Sequence, residues 1–184
     1  TSAGKVTIAA ETFITTAAPF GKSGTWLIDP TNFTIAAGAA AQTPSGIGAA
    51  TLSSNLDSTG VVISSTATGA EPGDIVVNAP VSWSAANSLT LNAIRNIEVN
   101  SPITNTAATA GGNVILNAGV SGGAIHLNLG GPITVNSTLG EVYLSAGAEI
   151  LQNNASAVIT AGKLSAVTTG GGVGLNEANM VDVI

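Results

Sequence analysis

One short pattern recurs through the middle of the chain and constrains its fold more than any other feature: an apolar residue, any residue, a second apolar residue and then Asn. Successive side chains of a strand point to opposite sides, so such an apolar triplet predicts a very short strand with one buried face. Asn suits the corner that follows, because it tolerates left-handed backbone and bonds to neighbouring backbone groups. The pattern occupies residues 75–78, 89–92, 97–100, 114–117, 125–128 and 133–136.

A second pattern has a longer period. A Gly, a polar residue and then an apolar residue recur at Gly4, Gly73, Gly112, Gly140 and Gly162. Gly112 and Gly140 are 28 residues apart, Gly140 and Gly162 are 22 apart, and three short strands fit into each interval. Three short strands per turn of this length predict a parallel β-helix, that is, a β-solenoid. At about 25 residues per turn, the chain would form roughly seven rungs.

The physics of a solenoid explains why such a sequence suits it. Each strand pairs with the equivalent strand one rung away, at about 4.8 Å, so inward aliphatic side chains stack in columns and corner Asn side chains form amide ladders. Outward positions carry Thr90, Glu98, His126 and Thr134. An antiparallel β-sandwich needs longer strands and hairpin turns of the Asn-Gly or Asp-Gly type, which are missing. The abundance of β-branched residues, Gly and Asn disfavours a helical protein.

We expect one domain over residues 1–184, regular over 73–184 and less regular over 1–72. Residues 36–50 and 66–72, which are rich in small residues and contain Pro, predict loops that protrude from the rod. Both ends of the sequence look cut, which indicates a fragment or a processed part of a longer chain. Strand candidates in the less regular part are residues 6–8, 13–14, 26–28 and 33–35.

Charge and cysteine content exclude several classes of function. The chain has 4 Lys and Arg against 10 Asp and Glu, a formal net charge of −6, which has the wrong sign for a nucleic-acid partner. It has no Cys, which excludes a disulfide scaffold, a thiolate zinc site and a cysteine nucleophile. Gly, Asn, Pro and Thr interrupt every long uncharged stretch, so we expect no membrane-spanning helix.

The residues that could carry chemistry are few. His126 is the only His, and its position in an apolar-x-apolar triplet places it on an outer face, where a lone His is typically a surface residue. Glu98, Glu141 and Glu149 could supply the carboxyl pair of a glycosidase, which requires a separation of about 5–10 Å. A solvated surface is the favoured interpretation of these residues, and Arg95 is the only Arg. We therefore expect no enzyme, and assign no catalytic, cofactor-binding or metal-binding residue.

Other motifs have simple structural interpretations. Residues 171–176 match one calcium-roll nonapeptide, but in a single copy, so a glycine corner is favoured. Trp26 and Trp83 are expected in the core or a cap. The Thr residues between 12 and 16 lack the regular Thr-x-Thr ranks of an ice-binding face. Glycosylation sequons, a frequent chance match, begin at Asn32, Asn136 and Asn154.

Residues 24–35, Gly-Thr-Trp-Leu-Ile-Asp-Pro-Thr-Asn-Phe-Thr-Ile, resemble a motif of large bacterial exoproteins of the filamentous haemagglutinin type, and the Asn-containing repeats at 88–93 and 112–118 resemble the same family. The resemblance implies a right-handed β-helix, two-partner secretion through an outer-membrane transporter, and an extracellular or cell-surface location on a Gram-negative bacterium. It implies adhesion to a host surface, glycan or matrix ligand, or surface assembly. The Asn-Pro-Asn-type signatures of the secretion domain are absent, which indicates an internal shaft segment.

Three hypotheses of function therefore stand. The first is a structural or adhesive segment of a secreted exoprotein, whose loops carry recognition. The second is a subunit of an extracellular filament, in which strand edges at residues 181–184 and 4–8 pair head to tail. The third, least favoured, is a carbohydrate-active β-helix enzyme.

Overall fold

The computed structural model describes residues 4–18, 20–21, 23–67, 70–119 and 122–183. Within these ranges the chain forms short strands and one eight-residue helix, and all of its strand pairs are parallel. Except for the consecutive strands Phe33–Ala36 and Gly46–Gly48, paired strands are separated in sequence by other strands, so the chain winds and stacks on itself. The predicted parallel β-solenoid is therefore confirmed.

The elements follow the chain in one continuous winding. The first elements are β1 Thr25–Ile28, β2 Phe33–Ala36, β3 Gly46–Gly48, α1 Ala49–Leu56, β4 Gly60–Ser64, β5 Ile75–Val77, β6 Val81–Trp83, β7 Leu89–Ala93 and β8 Ile97–Val99. The remaining strands are β9 Ile103–Asn105, β10 Val114–Ala118, β11 Ile125–Leu127, β12 Ile133–Thr134, β13 Glu141–Ala146, β14 Ile150–Gln152, β15 Ile159–Thr168, β16 Val173–Gly174 and β17 Met180–Val183.

The strands form three faces, as three strands per rung require. Face A contains β1, β4, β7, β10, β13 and the second half of β15; face B contains β3, β2, β5, β8, β11, β14 and β16. Face C contains β6, β9, β12, the first half of β15, and β17. Faces A and C are continuous through β15, since Ile159 pairs with Ile133 on face C while Lys163 pairs with Glu141 on face A.

Matched aliphatic columns fill the interior. On face A, Val114 lies in register with Leu89 on one side and Val142 on the other, and Val142 is in register with Leu164. The first three of these side chains are 0% exposed. Fully burying one such side chain contributes about 1.5–3 kcal/mol, so the columns are the main source of stability. Trp83, 2% exposed, also lies in the core, as expected.

The stack has about four regular turns, from Val61 to Leu164, rather than the seven predicted. The first 60 residues explain the difference, because much of this part of the chain covers the N-terminal end instead of forming full rungs. Gly4 bridges to Pro30 and Thr7 to Gly46, and α1 follows directly after β3. Five residues of α1 are buried: Ala49, Thr51, Leu52, Asn55 and Leu56.

Three predictions for this N-terminal part are wrong. Residues 6–8 are not a strand, because only Thr7 among them forms a bridge, to Gly46. Residues 36–50 do not form one protruding loop, because 46–48 pair with β2 and Ile47 and Ala49 are buried. Residues 13–14 are not a strand; Phe13 is exposed, and the Ile14 N–H instead donates to Oδ1 of Asn55 in α1. The second predicted loop, 66–72, lies partly outside the described residues, and its described residues form no named strand.

Asparagine ladders link the coils at the corners. Asn128 donates from Nδ2 to Oδ1 of Asn100 at 2.8 Å, Asn100 donates to Asn78 at 2.8 Å, and Asn153 donates to Asn128 at 2.9 Å. A second ladder on face A runs from Asn117 through Asn92 to the hydroxyl of Ser64. The expected amide ladders are therefore present, and each bond joins neighbouring coils.

Candidate functional site

The outer surface of face B brings together three of the residues that the sequence singled out: Glu98, His126 and Glu149. Glu98 in β8 and His126 in β11 occupy paired outward positions, and Glu149 directly precedes β14. Nδ1 of His126 lies 2.8 Å from Oε1 of Glu98, and its Nε2 lies 3.5 Å from Oε1 of Glu149. Asn128 donates from Nδ2 to the second Glu98 oxygen at 2.8 Å. We call Glu98, His126 and Glu149 the face B triad.

The chemistry available to the triad follows from the imidazole. A neutral imidazole has one N–H and can donate to one of the two carboxylates, whereas an imidazolium donates to both. His126 and Glu98 are half-buried against the sheet, while Glu149 is more exposed. Because the three groups belong to consecutive coils, the triad links those coils from the outside.

An ion pair lies beside the triad. Arg95 donates from Nε to Oδ1 of Asp74 at 2.7 Å, and a second guanidinium nitrogen contacts the other carboxylate oxygen. The backbone N–H of Asn96 donates to the same carboxylate. Partial burial raises the pKa of Asp74, but the hydrogen bonds from Arg95 and from the Asn96 N–H, together with the charge of Arg95, outweigh it and hold that pKa below its usual range. The same contact raises the pKa of Arg95.

Glu141 lies apart from the triad. It is on face A, where Nζ of Lys163 lies 2.9 Å from its carboxylate, and its backbone N–H donates to Asn113. A carboxyl pair formed by Glu98 and Glu141 would therefore be divided between two faces of the solenoid. Among the described residues, no group of three or more His, Asp or Glu side chains has the arrangement of a metal site.

The remaining sequence candidates have structural roles. Oδ1 of Asn32 accepts from the N–H groups of Gly73 and Asp74, and Oδ1 of Asn136 accepts from those of Thr138 and Leu139. Residues 169–172 form the corner between β15 and β16, whereas residues 173–174 of the predicted corner 171–176 form strand β16. Thr12 accepts from Asn55, and Thr16 bonds to Thr59, so these Thr residues attach the N-terminal segment to the solenoid.

The two ends of the solenoid differ. At the N-terminal end, α1 and residues 4–16 cover the interior, leaving a surface depression of about 240 Å³ beside Phe13 and Thr51. At the C-terminal end, a depression of about 420 Å³ opens between Leu164, Leu175 and Val181. Val173, Met180 and Val183 are 45%, 63% and 57% exposed there. Sequence analysis missed this asymmetry, because it did not identify α1.

Comparison with protein-family models, with curated proteins and with solved structures finds no match to this chain. The one helix in the described ranges, α1, lacks the length and apolarity needed to span a bilayer.

Proposed function

We propose that this chain is a structural and adhesive rod: a β-solenoid segment of a secreted or cell-surface exoprotein of the filamentous haemagglutinin type, from a Gram-negative bacterium. Its partner would be a host surface, a glycan or a matrix component. An outer-membrane transporter would export the full-length precursor.

The observation that carries the proposal is the continuous stack of coils with cross-coil ladders on its outer surface. Face A alone presents outward residues at six successive levels, from Leu27 to Ser165, a length of roughly 24 Å at the strand spacing. A stack of this kind is stiff along its axis, because core columns run through its length and Asn ladders join its central coils. Stiffness over distance is what a shaft that holds adhesive surfaces away from a cell requires.

The motif behind the family resemblance has a clear role in this rod. Ile28, Phe33 and Ile35 are buried within it, and the backbone oxygen of Pro30 accepts from Thr66. Oδ1 of Asn32 accepts hydrogen bonds from the N–H groups of Gly73 and Asp74 in the next coil. The motif therefore builds the first coil on which the others stack, a role that suits a segment preceding Asn-containing repeats.

Outer surfaces of different chemistry offer distinct positions for adhesion. Face A has a mixed column in which Leu27, Ile115 and Tyr143 are interrupted by Thr90. Face B carries the triad, and face C carries a hydroxyl column that includes Thr104 and Thr134. The loop at residues 37–45 connects β2 to β3 and leaves Ala40 exposed. These surfaces define the variants that test the proposal.

The test is adhesion of beads coated with the protein to epithelial cells, matrix proteins and a panel of glycans. Beads coated with an unrelated acidic protein of similar size are the control. We expect adhesion to at least one surface, reduced tenfold or more by one of Ile115→Lys, Glu98→Lys, Thr134→Lys or Ala40→Lys and unaffected by the others. Adhesion no greater than that of the control beads on every surface would overturn the adhesive role.

A further inference from the structure

The outward side chains of face C form one column of hydroxyl groups in the middle of the rod. Thr104 is in register with Ser82 on one side and with Thr134 on the other, and Thr134 is in register with Thr160. Ser82 is exposed, and each of the three Thr side chains is half-buried between its neighbours in the column. We call these four residues the face C column.

The hydroxyls of the face C column are available to an external partner. At the corners of the solenoid, the hydroxyls of Thr138 and Thr168 donate to oxygens of the protein. Within the part of the chain that the structure describes, the hydroxyls of the face C column have no such bond. Thr is β-branched and its side-chain rotation is restricted, so each hydroxyl and methyl group is held in place before a partner binds.

A second column beside the first is apolar. It consists of the residues two positions earlier on each strand: Pro80, Pro102, Pro132 and Val158. Residues 79–84, 101–107, 131–136 and 157–162, which build this face, include no Asp, Glu, Lys, Arg or His. Faces A and B, in contrast, carry the ion pairs of Lys163 and Arg95. Face C therefore suits a partner that is uncharged and that binds both hydroxyl and apolar groups.

The spacing of the column identifies such a partner. Paired strands lie about 4.8 Å apart. In hydrogen-bonded water the O···O distance is about 2.75 Å, and tetrahedral geometry then places second-neighbour oxygens about 4.5 Å apart. Over the three steps from Ser82 to Thr160 the difference accumulates to about 1 Å, which is less than half of one lattice repeat. The column can therefore follow one row of oxygens in ice over its whole length.

We propose that face C binds the surface of ice. The hydroxyls of the face C column form hydrogen bonds with a row of lattice oxygens, while the Thr methyl groups and the Pro rings cover the adjacent apolar strip. Protein adsorbed in this way hinders the addition of water and slows crystal growth. Sites for sugars and other small molecules are typically concave and lined by aromatic side chains, and no described outward position of face C carries an aromatic ring. The inference goes beyond the adhesive role and does not depend on it.

The test is the growth of a single ice crystal in a solution of the intact 184-residue protein. The quantity measured is the gap between the temperature at which the crystal melts and the lower temperature at which it begins to grow. An unrelated acidic protein of similar size is the control. We expect a gap that increases with protein concentration and is at least tenfold larger than that of the control. A gap no larger than that of the control at every concentration would overturn the proposal.

Protein variants locate the site. Thr134→Tyr and Thr104→Tyr each place a ring within the face C column and should reduce the gap at least tenfold. The matched control is Thr90→Tyr, at a half-buried outward position on face A, which should leave the gap unchanged. Tyr is compatible with such a position, since Tyr143 occupies one on face A, and circular dichroism confirms that each variant is folded. An unchanged gap in both face C variants, or an equal reduction in the control, would refute the assignment.

Two further measurements distinguish ice from other partners of face C. Pull-down with crystalline cellulose and chitin tests a neutral polysaccharide, and sedimentation tests a second copy of the chain. Binding to either partner that Thr134→Tyr abolishes, without any effect of the protein on ice growth, would overturn the proposal. The bead assay is carried out above the freezing point, so the adhesive role and the binding of ice can fail separately.

Discussion

Nδ2 of Asn117 donates a 2.8 Å hydrogen bond to Oδ1 of Asn92, a residue 25 positions earlier in the chain. The two residues are also paired in register between β10 and β7. A corner residue that ends one strand is therefore bonded to the residue that ends the equivalent strand one coil below. The same relation on face B gives the longer ladder through Asn128.

Removal of an Asn in the middle of the face B ladder should lower the free energy of unfolding more than removal of the Asn at its end. Asn128→Ala deletes hydrogen bonds to Asn100, Glu98 and Asn153, whereas Asn153→Ala deletes the one to Asn128. At about 1 kcal/mol for each net hydrogen bond, we expect losses of about 2–3 and about 1 kcal/mol in the free energy of unfolding. Urea denaturation measures both, and equal losses would contradict a ladder that contributes bond by bond.

Close packing of coils at a corner should make one glycine irreplaceable. A Cβ at Gly131 would lie 2.1 Å from the carbonyl oxygen of Val99, in the coil below. We expect Gly131→Ala to reduce the free energy of unfolding by about 2–3 kcal/mol, as overpacking does. The matched control is Gly172→Ala, where an added Cβ has no atom within 4 Å. A melting temperature for Gly131→Ala as high as that of the control would show that the coils do not approach so closely.

The segment 4–16, which covers the N-terminal end of the solenoid, should detach when the buried side-chain amide of Asn55 is removed. Asn55 accepts from the Ile14 N–H and donates to the backbone oxygens of Thr12 and Thr51. Asn55→Ala leaves these groups without partners, and we expect a loss of about 2–3 kcal/mol together with faster hydrogen exchange in residues 5–16. Ser54→Ala, on the exposed side of the same helix, is the control. Unchanged exchange in residues 5–16 of Asn55→Ala would refute this role.

The Asp74–Arg95 pair should stabilise the protein only while the carboxyl is ionised. The pKa of Asp74 is lowered in the folded state, so its contribution is complete above the unfolded pKa, about 3.9, and is lost as the pH falls through the lower folded value. Since the Arg95 side chain is exposed and solvent screens its charge, we expect Arg95→Gln to lower the free energy of unfolding only slightly at pH 7 and progressively less below pH 4.

Urea denaturation at pH 7, 5 and 3 measures this dependence. In an Asp74→Asn background, Arg95→Gln should have the same small effect at all three pH values. A cost of Arg95→Gln that grows as the pH is lowered would reverse the expected sign and exclude the pair as its cause.

Local sequence was sufficient to predict many strands of the regular coils, because these strands are apolar-x-apolar triplets followed by Asn. Residues 75–77, 97–99 and 125–127 form strands as predicted. The strands β6 and β9 of face C were missed, since Val81–Trp83 is followed by Ser and Ile103–Asn105 has Asn in place of the second apolar residue. Their burial depends on neighbouring coils, which no local pattern records.

The helix and the face B triad illustrate two further limits. The spacing of Ala49, Leu52 and Leu56 matches one side of a helix, but the abundance of small residues around it suggested a loop. For the triad, alternation placed Glu98 and His126 on an outer face but did not assign them to the same column. Their register depends on the lengths of the corners between strands, which vary from coil to coil.

Cysteine cross-linking tests the stacking of coils most directly, because the chain has no native Cys. Thr90 and Ile115 are paired outward positions in adjacent coils, and Ile115 is paired in turn with Tyr143. Adjacent strands lie about 4.8 Å apart, within the range of a disulfide, whereas positions two coils apart lie beyond about 7 Å. We expect Thr90→Cys with Ile115→Cys to form an intramolecular disulfide on mild oxidation and Thr90→Cys with Tyr143→Cys to remain reduced; a disulfide in the second pair and none in the first would contradict the solenoid.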